Sequence, residues 1–68
     1  MNRELEKDIE TWLEYLDLES MCEEEFEGDS YNMIGQLTDS ALTELNIPLS
    51  DKYEALKIIK NYVNTALG

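Results

Sequence analysis

Leu5, Ile9, Trp12, Leu13 and Leu16 recur at spacings of three and four residues, the period that places apolar side chains on one side of an α-helix. The spacing predicts a helix over residues 3–16. Leu18, Met21, Cys22 and Phe26 form a second stripe, over residues 18–27. Gly28 closes it, since glycine enters the left-handed backbone conformation of a helix end without a steric penalty. Tyr31, Met33, Ile34 and Leu37 predict a helix of one or two turns over 31–36. Thr38 reads as a restart: its hydroxyl can cap the free amides of a helix over 39–45, with Ala41, Leu42 and Leu45 apolar and Asp39 in the first turn. Pro48 ends that segment. Ser50 reads as the cap of a last helix over 51–66, in which Asp51 and Glu54 precede Lys57 and Lys60, a polarity matched to the helix dipole.

The last helix carries the widest apolar arc. Ala55, Leu56, Ile58, Ile59, Tyr62, Val63 and Leu67 cover about half its circumference, more than the ~100° stripe of a helix resting on a surface. It therefore has to pack against several neighbours. The pattern asks for an all-α fold, a compact five-helix bundle in one domain, with a long C-terminal helix as its spine. Its expected core is Trp12, Leu13, Leu16, Phe26, Leu37, Leu42, Leu45, Leu56, Ile59 and Val63.

Length matters because the chain has 68 residues. A domain of that size buries only roughly 60% of the surface its unfolded chain exposes, so nearly every large apolar side chain is needed in one core and little remains to wall a deep cavity. Cys22 is the single cysteine and has no internal disulfide partner. With no charged-then-apolar leader and no long apolar run, the expectation is a cytoplasmic or nuclear module of a larger protein.

Charge narrows the choice of partner. Five basic against sixteen acidic residues leave a formal net charge of −11. The basic residues Arg3, Lys7, Lys52, Lys57 and Lys60 lie towards the chain ends, and no Lys or Arg occurs between Asp8 and Asp51. Nucleic-acid binding draws its affinity from cations that neutralise phosphates, so neither nucleic acid nor an anionic membrane surface is an expected partner.

Catalytic chemistry has little to stand on. There is no histidine, so the commonest general base and neutral metal ligand are both missing. Cys22 lacks an imidazole to activate it. The run "EEEFEGD" lacks the alternating oxygen ligands of a calcium loop and carries Phe26 in its middle. The chain is expected to be no enzyme and to take no metal or cofactor.

The runs "IETWLEYLDLESMCEEEF", "IGQLTDSALTELNI" and "ALKIIKNYV", in this order, resemble a sterile alpha motif (SAM) domain over almost the whole chain. That family's framework is a Trp-Leu pair, a buried aromatic, a Leu-Thr helix start, a Leu-x-x-Leu-Gly-Ile turn and a long apolar final helix. Trp12, Leu13, Phe26, Leu37, Thr38, Leu42, Leu45 and Ile47 fall on it, and the resemblance adds Ile47 to the expected core. Asn46 stands where the family has glycine, and asparagine is the next best residue at a positive φ. Asp51 stands where the family often opens its last helix with glycine, and Tyr53 where it often has a basic residue.

The resemblance implies a non-catalytic protein–protein interaction module with two faces, serving scaffold or signalling assembly. The mid-chain face holds Glu23, Glu24, Glu27, Asp29 and Asp39; the face at the start of the last helix holds Leu49, Lys52 and Tyr53. The expected partner is another SAM domain or a basic protein surface, bound heterotypically, with at most weak self-association. The alternatives are homotypic head-to-tail polymerisation and an RNA-binding SAM-like module, the latter lacking the basic stripe it would need.

Overall fold

The computed structural model describes residues 3–68. Among them there is no strand: the chain forms α1 (Arg3–Glu14), α2 (Leu18–Phe26), α3 (Ser30–Glu44), a 3-10 turn (Leu49–Asp51) and α4 (Lys52–Leu67). The expected count of five helices is corrected to four α-helices among the described residues, because the segments expected at 31–36 and 39–45 are one uninterrupted helix. The radius of gyration is 11.3 Å, against about 11 Å expected for a compact chain of this length.

α1 buries Leu5, Ile9 and Leu13, one residue per turn along a single line. It ends two residues earlier than the spacing predicts. The amides of Tyr15 and Leu16 turn to the carbonyls of Trp12 and Leu13, at 3.4 and 3.0 Å, a tightened last turn that closes the helix. The start of α2 forces the stop: Asp17 accepts from the amide of Ser20 at 3.2 Å and thereby caps that helix.

α2 ends with two successive left-handed residues, Glu27 at φ 52° and Gly28 at φ 83°. Gly28 donates its amide to the carbonyl of Cys22 at 2.8 Å. The expected role of Gly28 holds, but Glu27 shares the turn. Asp29 then accepts from the amide of Asn32 at 3.1 Å and caps α3.

The continuity of α3 has a packing reason. Met33, Ile34, Leu37, Thr38 and Ala41 are all buried, and in one helix they form a single stripe at i, i+1, i+4, i+5 and i+8. A break at Thr38 would put the two halves of that stripe out of phase. Thr38 therefore does not cap: it is 1% exposed, and its hydroxyl donates to the carbonyl of Ile34 at 2.8 Å. The same phase turns Tyr31 away from the core, where it is 80% exposed, contrary to its expected place in an apolar stripe.

α3 ends at a left-handed Asn46, φ 54°, with the amide of Ile47 donating back to the carbonyl of Leu42 at 3.0 Å, the bond pattern of a Schellman motif. Pro48 follows in extended conformation and leads into the 3-10 turn. The expected cap at Ser50 is not formed. Ser50 lies inside that turn, and the residue preceding α4 is Asp51, which makes no capping bond through its side chain.

α4 packs most extensively on α3, then on α1, and also on α2, as its wide apolar arc requires. Ala55, Ile58, Ile59 and Val63 are its buried residues. Of the expected core, Leu13, Leu37, Ile59 and Val63 are buried, while Trp12, Leu16, Phe26, Leu42, Leu45, Ile47 and Leu56 pack against the core and stay partly exposed. The centre belongs to smaller side chains on facing helices: Ile9, Met33, Ala41, Ala55, Ile59 and Val63 are each 0% exposed.

Candidate interaction surfaces

Two surfaces expected from the sequence can be placed on this fold. On α2 the buried residues are Leu18 and Cys22, so Glu23 and Glu24, together with Glu27 just beyond the last turn, stand exposed on the other side. Neither α2 nor α3 contains a Lys or Arg along its whole length. The carboxylates sit at the C-terminal end of α2, the negative pole of its dipole, where each costs about 0.3 kcal/mol or more. Nothing in the packing of α2 requires them there, since they make no part of the core.

Asp29 lies next to this ridge and is exposed, but one of its oxygens is already used as the cap of α3. Sequence spacing did not separate that role from partner binding, although an Asp just ahead of a helical apolar run is a capping signal.

Asp39 belongs elsewhere. It sits midway along α3, and its Oδ1 is 3.7 Å from Nζ of Lys52 at the start of α4. Asp39 therefore lies beside Lys52 of the second expected face. Lys52 and Asp39 are 52% and 67% exposed in their side chains, which makes the pair a solvated one contributing ~0–1 kcal/mol. Around it, Tyr31, Asn32, Gly35, Asp39, Lys52 and Leu56 line a shallow depression of about 370 Å³ between α3 and α4.

Leu49 and Tyr53, the remaining residues of the second face, are 75% and 73% exposed. Tyr15, at 86%, is a further exposed aromatic that the periodicity did not single out. It follows the last residue of α1 and, two positions past buried Leu13, falls on the side away from the core.

Cys22 is free and buried, so its thiol is shielded from solution. Among the described residues no group of three or more His, Cys, Asp or Glu side chains is placed to hold a metal ion, and no helix is long and apolar enough to cross a membrane. Every buried side-chain nitrogen or oxygen among the described residues has a hydrogen-bond partner. The core is thus fully satisfied, and the chemistry that remains is on the surface.

Comparison with protein families, with curated proteins and with solved structures returns no significant match for the chain.

Proposed function

We propose that this chain is a non-catalytic protein–protein interaction module of the SAM type, which binds a basic protein surface heterotypically through the carboxylates of α2. The observation that carries the reading is the exposed group Glu23, Glu24 and Glu27, crowded at the negative end of a helix that has no cation of its own. An unfavourable field at an exposed helix end is offset when a partner brings positive charge to it, and complementary charge steers encounter and selects partners. Support for the family reading is the framework from Trp12 to Ile47 and a left-handed Asn46 at the turn where that family has glycine. The single α3 is a departure from the five-helix pattern.

The face of Leu49, Lys52 and Tyr53 is the secondary one. Its single cation is already drawn to Asp39, so head-to-tail pairing between copies has little positive charge to use. Such a module works in scaffold or signalling assembly in a cytoplasmic or nuclear setting, as part of a larger protein.

The test is binding to a panel of isolated SAM domains with basic surfaces, read as association and dissociation rates at several salt concentrations. At least one is expected to bind with a salt-dependent on-rate, and reversal of Glu23, Glu24 and Glu27 to Lys is expected to slow that on-rate with little change in off-rate. Unchanged rates after the reversal would leave the carboxylates as a solubility feature only. Molar mass measured against concentration completes the test: a monomer agrees with the heterotypic reading, and an open ladder of species replaces it with homotypic polymerisation.

A further inference from the structure

We propose that the groove between the end of α1, α2 and α3 seats the apolar stripe of a basic amphipathic helix from a partner protein, whose Lys or Arg side chains meet the carboxylates on the groove's rim. This rests on the reading of α2 as the partner-binding element and adds where the apolar half of the partner goes.

The groove is open to solvent and has a volume of about 270 Å³. Its apolar lining is Trp12 on α1, Leu16 in the turn after it, Met21 and Phe26 on α2, and Leu37 on α3. Four of these, all but Leu37, are only partly buried. The fold therefore leaves adjacent edges of a Trp, a Met, a Phe and a Leu uncovered together. Aromatic and Met side chains are the types enriched at the centres of protein interfaces, and Met adapts its shape to what it meets.

Charge selects the occupant. Glu25 stands on the α2 wall, and Gln36, Ser40 and Glu44 form a row at i, i+4 and i+8 on the α3 wall. Eight residues of helix rise about 12 Å, so this polar row matches about two turns of a helix laid alongside it. Glu24 is the i+3 neighbour of Met21, so the acidic ridge adjoins the groove directly. An acidic peptide or a polyphosphate is repelled by these walls, whereas an apolar stripe flanked by cations satisfies both floor and rim.

Trp12 is the only tryptophan in the chain, so its fluorescence reports on the groove without labelling. The experiment titrates the protein with a Trp-free peptide of Leu and Lys patterned as an amphipathic helix, roughly 18 residues or five turns long, and with polylysine of equal charge. The amphipathic peptide is expected to shift Trp12 emission to saturation. Polylysine is expected to perturb backbone amides near Glu23, Glu24 and Glu27 and to leave Trp12 emission unchanged.

Ser40→Arg, at an exposed rim position, places bulk and a cation in the groove and is expected to lower affinity for the amphipathic peptide at least about tenfold, with polylysine binding unaltered. Gln36→Lys on the same row serves if circular dichroism shows Ser40→Arg to be misfolded. Undiminished peptide affinity in the folded variant, or a bound peptide that leaves Trp12 emission untouched, overturns the groove while the ridge reading stands on the polylysine result. If reversing Glu23, Glu24 and Glu27 also changes nothing, the ridge reading falls separately. Emission that shifts with protein concentration alone, alongside a rise in molar mass, would give the groove to a second copy and overturn the proposal.

Discussion

The hydroxyl of Thr38 donates to the carbonyl of Ile34 one turn back along α3, at 2.8 Å. A threonine can serve either as the first cap of a new helix or as a buried member of a continuing one, and this bond puts Thr38 in the second role. The two roles respond differently to an Asp substitution. As a cap, Asp would do as well as Thr and Val would cost about 1 kcal/mol. In the buried position, Thr38→Asp is expected to cost about 3–5 kcal/mol, because it leaves a charge without a partner in the core. Thr38→Val is expected to stay within about 1 kcal/mol of the parent. Urea denaturation of the two variants decides, and the loss from Asp should shrink at acid pH, where the introduced carboxyl becomes neutral.

Gly35 sits in the interior of α3, and a Cβ built on it meets nothing within 4 Å. Its φ is not in the left-handed region, so glycine is not needed there by the backbone. Gly35→Ala is expected to raise stability by about 0.5–1 kcal/mol, through the unfolded chain's lost freedom and the better helix propensity of alanine. A drop in the thermal midpoint would show that α3 is broken near this residue in solution.

The Asp39–Lys52 pair joins α3 to α4 at the surface. A double-mutant cycle of Asp39→Ala and Lys52→Ala, followed by denaturant melts, is expected to give a coupling of about 0.2–1 kcal/mol that fades with salt. A larger, salt-insensitive coupling would mean that the pair is shielded from solvent.

Core substitutions should rank by burial and not by size. Ile59, 0% exposed, is expected to cost about 2–5 kcal/mol when changed to Ala, enough to unfold much of a domain whose total is expected near the lower end of about 5–15 kcal/mol. Leu42→Ala, at a partly exposed position packed on the core's edge, is expected to cost less than Ile59→Ala. Equal losses at both positions would place the centre of the core nearer Leu42 than the structure does.

Much of this molecule was legible in the order of its residues. Spacings of three and four place Leu5, Ile9 and Leu13 on one line, and they are buried together. The breadth of the apolar arc on the last helix required several neighbours, and α4 has three helices around it. Asn46, standing where the resembled family has glycine, suits a positive φ, and it has one. These are local properties, decided by the period of side-chain directions and by the steric limits of a single residue's backbone.

Other features depended on competition between local signals and packing, and the tertiary structure decided them. Thr38 and Asp39 carry the marks of a helix start, yet the stripe from Met33 to Ala41 is buried as a unit, and keeping it in phase outweighs one capping bond. Whether Trp12 and Phe26 lie inside the core or on its edge depends on how much of each the neighbouring helices cover, which periodicity does not measure. Asp39 and Lys52 were assigned to separate faces by the family resemblance alone. Only the packing of α3 on α4 sets them 3.7 Å apart, because helix packing brings surface residues together by geometry that no single helix contains.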